Sequence, residues 1–372
     1  YLSRAVRLDS TFVPALEQLI QVYATLGDRA AVERLAPHYL GLEPSGEESG
    51  YTRWRIALLL KDDEALERLR AQFETTNNVS LSQIVGFGQV DQVGLDDVRR
   101  AADVLWRRAR DRRVNREVFG RGANLYLLKA TALNGGRAER ADSLLRMRWE
   151  GRASAPRLHR ERIVAALYDG DDITGIGVSV QGLADGRFAS EEARANPAAM
   201  AGERALNVCL VQQWRLWRSD TLGAASAIDQ VRAAEPTPGA PCSSILTVLL
   251  AAERGEEAAR RAVPLAEELL ADGWLWPTGF MVDFAAARLY ERLGEPLAAA
   301  DALRHRPYRA QHGSWTLGHA LHENGRLSLA GGDTAAAVDA FDHWLALHDR
   351  PEPNRREEVE RVRALVVGLE QS

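Results

Sequence analysis

What most constrains this chain is a unit that it repeats, and the plainest copy lies near the C-terminus. Leu317-Gly318-His319-Ala320-Leu321-His322-Glu323-Asn324-Gly325 leads through Ala330 to Gly331-Gly332-Asp333; Ala335, Ala336, Ala337 and Val338 then run on to Phe341 and Trp344. The apolar spacing predicts an amphipathic helix, a tight Gly-Gly-Asp turn, and a second helix folded back on the first. Asp333 is placed to cap that second helix through its side-chain oxygen. Ala336, Ala337 and Ala340 keep one face small, so the two helices can approach closely. Phe341 and Trp344, three apart, fill the next layer.

The same grammar recurs along the chain. In residues 12–43, Pro14 sits where a first helical turn tolerates it. Leu16, Leu19, Ile20 and Tyr23 mark one face, Gly27-Asp28 turns the chain, and Val32, Leu35, Ala36 and Tyr39 line the return. Further pairs are expected around Lys61-Asp62-Asp63, at 80–88 with 95–112, and at 118–148, 198–235, 241–271, 279–305 and 312–347, before a last helix at 354–370. Four turn glycines are in phase: Gly27, Gly136, Gly294 and Gly332. Five residues after each stand Val32, Ala141, Ala299 and Ala337, and four beyond those stand Ala36, Leu145, Leu303 and Phe341.

Self-similarity of this kind predicts an all-α fold, a solenoid of helical hairpins with an irregular middle. In that middle, Gly175, Gly177, Gly182 and Gly186 disfavour helix, and the stretch reads either as an atypical repeat or as an inserted loop. The expected organisation is N-terminal repeats over 1–167 (starting within a repeat), an irregular segment 168–200, C-terminal repeats over 201–353, and a capping helix 354–372. One apolar and one highly charged face on that last helix suit the end of an open stack.

Composition narrows the function classes. A formal net charge of -5 disfavours a wholesale nucleic-acid binder. Lys61 and Lys129 are the only lysines, so nearly all positive charge is arginine, which offers planar, multi-donor contacts. No apolar run is long enough to span a membrane. Cys209 and Cys242 make neither a disulfide framework nor a CxxC metal spacing, so free buried thiols in a reducing, cytoplasmic compartment are expected. The opening Tyr1-Leu2-Ser3-Arg4 reads as the tail of a helix already under way, as in a piece cut from a larger protein.

The in-phase positions resemble tetratricopeptide repeats. The matches are Leu321, Gly325, Gly332, Ala337 and Phe341 near the end, Tyr290, Gly294 and Ala299 before them, and Leu16, Leu19, Tyr23, Gly27 and Pro44 at the start; Trp214 and Pro236 fit loosely. Residues 76–117 and 168–200 depart from the pattern. The resemblance implies helix-turn-helix units of about 34 residues, stacked to form a partner-binding groove. The chain also resembles the C-terminal repeat region of bacterial signalling or regulatory proteins, whose N-terminal part is a serine/threonine kinase or a winged-helix DNA-binding domain.

Catalytic patterns are weak. Gly175, Gly177 and Gly182 lack the preceding strand and the lysine of a phosphate loop. His319 and His322 flank no third zinc ligand placed by the sequence, and Asp169, Asp171 and Asp172 lack the rest of a calcium loop. No nucleophile, base and orienting residue converge, so no catalytic residue, metal or cofactor is nominated. Two sets of residues suit binding instead. One is the basic helix carrying Arg99, Arg100, Trp106, Arg107, Arg110 and Arg113, which suits an acidic peptide, a phosphate group or nucleic acid, and otherwise forms a solvated face partly neutralised by acidic neighbours. The other is Trp214, Arg215, Trp217 and Arg218 with Trp274 and Trp276, which either pack between helix pairs or anchor a peptide.

The expectation is a noncatalytic scaffold for a protein, a peptide or another domain of the same polypeptide. The alternative is a ligand- or nucleic-acid-sensing repeat domain of a transcription regulator.

Overall fold

A computed structural model of the chain describes residues 1–44, 49–89, 94–110, 128–129, 131–149, 155–169, 176–188, 195–234, 241–272, 281–304 and 316–371. Among these residues all regular structure is helical. The chain divides into two compact units. The first covers residues 1–131 and holds α1 (Leu2–Leu8), α2 (Val13–Thr25), α3 (Arg29–Gly41), α4 (Ser49–Leu60), α5 (Asp63–Ala71), α6 (Asn78–Gly88) and α7 (Leu95–Arg110). The second covers 132–306 and 315–372. It begins with α8 (Ala138–Trp149), α9 (Ala155–Asp169), α10 (Ile176–Ala184), α11 (Pro197–Trp217), α12 (Ala224–Ala234) and α13 (Pro241–Glu253). It continues with α14 (Glu256–Asp272), α15 (Val282–Arg292), α16 (Pro296–Arg304), α17 (Leu317–Ala330), α18 (Thr334–Leu347) and α19 (Arg356–Glu370).

Consecutive helices pack as hairpins: α2 with α3, α4 with α5 and α6 with α7, then α9 with α10, α11 with α12, α13 with α14, α15 with α16 and α17 with α18. First helices also touch first helices, α2 with α4 and α4 with α6 in one unit, and α9 with α11, α11 with α13 and α13 with α15 in the other.

The turns explain why the pattern folds this way. Gly27, Gly136, Gly294 and Gly332 all hold positive φ, between 62° and 83°, where a Cβ would be strained. Lys61 and Ser219 stand in the same left-handed region in pairs that lack the glycine. The aspartate after the turn caps the next helix, with Asp28 accepting from the Ala31 N–H, Asp62 from Ala65 and Asp333 from Ala336, at 2.9–3.0 Å. Val32, Ala141, Ala299 and Ala337, each five residues past its turn, are all 0% exposed. Gly325 has a packing reason of its own, since a Cβ there would lie 2.6 Å from the Phe341 ring.

In the first unit, Leu16, Ile20, Val32, Ala36, Tyr39 and Ile56 form an apolar core. Key buried polar groups of this unit are paired, as burial favours. Tyr39 donates to Glu17 at 2.6 Å, and Asp97 accepts from the Trp54 indole at 2.9 Å and from Arg70 Nε at 2.6 Å. Asp97 thus ties α4, α5 and α7 together.

In the second unit the glycine-rich stretch contains a helix. α10 packs on α9, and Gly182 is accommodated because the Phe188 ring lies against its Cα, leaving no room for a Cβ. Polar contacts hold this hairpin, with His159 Nδ1 2.8 Å from the hydroxyl of the fully buried Ser179 and Arg162 Nη1 donating to that hydroxyl at 3.3 Å, while Arg162 also pairs with Asp142 of α8 at 2.7 Å.

The unit's ends also meet. Asn134 Oδ1 accepts the Gly318 N–H at 3.1 Å, Glu352 N–H donates to the Gly136 carbonyl at 3.1 Å, and the Glu352 carboxylate accepts from the Glu139 and Arg140 N–H groups, each at 3.1 Å. α19 closes over α18, with Val359, Val362 and Val366 against Phe341 and Trp344.

One expectation is overturned. Cys209 and Cys242 are not free thiols but a disulfide joining α11 to α13, with Cα atoms 6.1 Å apart and both residues buried. They stand 33 residues apart, close to one repeat, so adjacent first helices bring them side by side. That register, rather than a short cysteine motif, makes the bond. With both cysteines in this bond, no free thiol among the described residues points to a reducing compartment. Among the described residues no helix is long and apolar enough to cross a membrane.

Candidate functional site

Glu253, Arg288 and Glu323 stand 35 residues apart, and the hairpin array therefore sets them on three neighbouring first helices, α13, α15 and α17. A cavity of about 520 Å³ opens there, also lined by Trp217 from the end of α11, Phe284 and Arg292 from α15, and His319 from α17. Its wall is aromatic. The Trp217 and Phe284 rings meet edge to face at 6.0 Å, and His319 lies 5.1 Å from Phe284 and 5.9 Å from Trp217.

Arg288 organises the polar side. Its Nε and Nη2 bond Glu253 at 2.8 and 2.6 Å, Nη1 donates to the Trp217 carbonyl at 2.8 Å, and Nη2 also reaches the Ser219 hydroxyl at 3.1 Å. Planar, multi-donor recognition of this kind needs a guanidinium. Arg292 donates to the Ala252 carbonyl at 2.7 Å. Behind the rim, Arg326 bonds Glu291 at 2.7 Å and Glu323 at 2.8 Å.

The electrostatics follow from burial and these pairs. Burial pushes the His319 imidazole down to about 4, so it is neutral at pH 7. Burial alone would raise the Glu323 carboxyl, but His322 and Arg326 outweigh it and hold the group at about 2. Burial opposes the charge on Arg326 as well, and the two glutamates overcome it and raise its pKa. The site is thus a neutral aromatic wall with fixed ionic groups around it. Among the described residues no cluster of His, Cys, Asp and Glu is arranged to hold a metal ion.

Of the residues singled out from the sequence, Trp217 lies in this cavity. Trp214 is one turn away, with the Arg218 guanidinium 4.2 Å from its ring centroid; Arg215 is partly exposed on the same helix. Trp274, Trp276 and Arg113 lie outside the described residues, as does the side chain of Arg110.

The basic helix is largely occupied internally. Arg99 pairs with Asp96 at 2.6 Å, Arg107 pairs with Glu74, and Arg108 donates to the Thr76 and Glu74 carbonyls at 2.8 and 2.7 Å. Arg100 is exposed and Trp106 is half-buried.

The sequence reading missed Glu253, Phe284, Arg288, Arg292 and Glu323 as site residues. For Glu253, Arg288 and Glu323 the signal was the 35-residue recurrence of charge on first helices, legible once the repeats are aligned on their turns.

No protein family, curated protein or solved structure matches the chain.

Proposed function

We propose that this chain is a noncatalytic, tetratricopeptide-like scaffold whose second unit binds an extended or helical peptide along its first helices. The observation that carries this reading is the Trp217–Phe284–His319 wall, assembled from three hairpins around a cavity of about 520 Å³. Aromatic side chains set in a concave pocket and ringed by charged groups are what anchor residues of a partner seek. The peptide comes from a partner protein or from another part of the same polypeptide, consistent with a repeat region of a signalling protein.

A nucleic-acid-sensing role finds less support, because Arg99, Arg107 and Arg108 are engaged within the fold. The disulfide supports an oxidising setting, which we propose in place of the cytoplasm.

The test is capture of a partner from lysate by wild type, Trp217→Ala and Arg100→Glu, with thermal melts confirming that each variant is folded. The reading requires a partner held by wild type and Arg100→Glu and lost by Trp217→Ala. A partner lost by Arg100→Glu alone would move the site to α7.

A further inference from the structure

We propose that the pocket formed by α11, α13, α15 and α17 receives a cationic side chain, arginine or lysine, from the bound peptide. This rests on the peptide-binding reading above and names the chemistry of its anchor.

The donors and acceptors around the pocket are unequally used. Arg288 uses Nε, Nη1 and Nη2 within the fold, and Arg326 does the same on Glu291 and Glu323. In each case one carboxylate oxygen takes the arginine bond: Oε1 of Glu253, Oε1 of Glu291 and Oε2 of Glu323, whose Oε1 faces His322 at 3.6 Å. An ionised carboxylate accepts at two oxygens, with about four lone-pair sites. The lining therefore retains acceptor capacity at Glu253 and Glu291 after its own cations are satisfied.

The lining carries the carboxylates of Glu253, Glu291 and Glu323 against the guanidiniums of Arg288 and Arg292. Arg292 is exposed, with Nε on the Ala252 carbonyl. Its remaining donors suit a backbone carbonyl of the peptide beside the inserted side chain.

Aromatic faces attract cations and repel anions. The fold already uses this preference twice, with Arg288 5.1 Å from the Trp217 centroid and backed by Glu253, and with Arg218 4.2 Å from the Trp214 centroid. A second guanidinium entering beside Phe284 and His319 would meet the same combination of π surface and carboxylate. An inserted acidic side chain would meet the carboxylates of Glu253, Glu291 and Glu323.

The experiment is fluorescence anisotropy with dye-labelled dodecapeptide pools, degenerate except for a fixed central arginine, citrulline or glutamate. Citrulline keeps the shape of arginine and removes its charge. The arginine pool should bind about 10-fold or more tightly than the citrulline pool, with the glutamate pool weakest. Glu291→Gln, at an exposed rim position, should shrink the arginine-to-citrulline ratio by about 3-fold without shifting the thermal midpoint.

Equal binding of all three pools, still abolished by Trp217→Ala, would overturn the cationic anchor and leave the peptide-binding reading standing. Binding indifferent to Trp217→Ala would overturn that reading too. Tighter binding of the glutamate pool, or no binding of any pool at millimolar concentration, would also overturn the inference.

Discussion

Arg288 lies over the face of Trp217, its guanidinium carbon 5.1 Å from the ring centroid, and donates to the carbonyl of that same residue. One side chain thereby joins the end of α11 to α15 and, through Glu253, to α13. It supports the aromatic wall from behind, and the glutamate it neutralises has a side chain only 8% exposed.

Arg288→Met should therefore destabilise the protein by about 2–4 kcal/mol, because it leaves a buried carboxylate without its cation. Adding Glu253→Gln should recover part of that loss, since the unpaired charge is then gone. Chemical denaturation of the two single variants and the double variant checks this as a double-mutant cycle. Additive losses would mean that the pair is not coupled.

The Cys209–Cys242 bond closes a loop of 33 residues between neighbouring first helices. Cys209→Ser with Cys242→Ser should lower stability by roughly 2–4 kcal/mol. Because both sulfurs are buried, a mild reductant should leave the native protein oxidised and act only near the unfolding midpoint. Thiol titration before and after denaturation separates the two states. Two titratable thiols in the untreated, denatured protein would show that the bond does not form.

Glu352 caps α8 from the far end of the second unit's sequence, accepting from the N–H groups of Glu139 and Arg140. Glu352→Ala should cost about 1–2 kcal/mol. It should also speed amide exchange at Glu139 and Arg140, while α2 in the other unit keeps its protection. Unchanged exchange at the start of α8 would mean that the cap makes no contribution there.

The histidines set an acid limit. Burial lowers both His319 and His348 to about 4 from an ordinary value of 6.5. Below pH 6.5 the unfolded chain takes up protons that the folded state refuses until about pH 4, so stability falls through that window and is indifferent to these groups above it. Glu323, held at about 2 against 4.5, adds a further loss as pH falls from 4.5 to 2. Urea midpoints at pH 7, 5.5 and 4.5 should decline, and His319→Gln with His348→Gln should flatten the decline. An unchanged slope in the double variant would place the acid sensitivity elsewhere.

Much of the fold was legible because each repeat carries its own local instructions. The glycine at positive φ, the aspartate cap one residue later and the small residue five past the turn are short-range signals, and Gly332, Asp333 and Ala337 satisfy all three. Long-range facts were less legible. Free thiols were expected in place of the disulfide because 33 residues looks like no cysteine motif until it is measured in repeats. The α10 helix was obscured by Gly182, whose reason is the Phe188 ring packed against it and not a break in the chain. At the site, Trp217 was marked by its chemistry alone. Arg288 and Glu253 look like ordinary surface charges in sequence and acquire a role only from the helices that bring them together.

The central claim is that the first helices of the second unit form the binding face. Hydrogen exchange of the protein with and without its captured partner tests this most directly. The account predicts new protection at 213–219, 284–292 and 319–327, the segments around Trp217, Arg288 and Glu323. Protection confined to 95–110, with those three segments unchanged, would contradict it and place the interface on the arginine-rich helix.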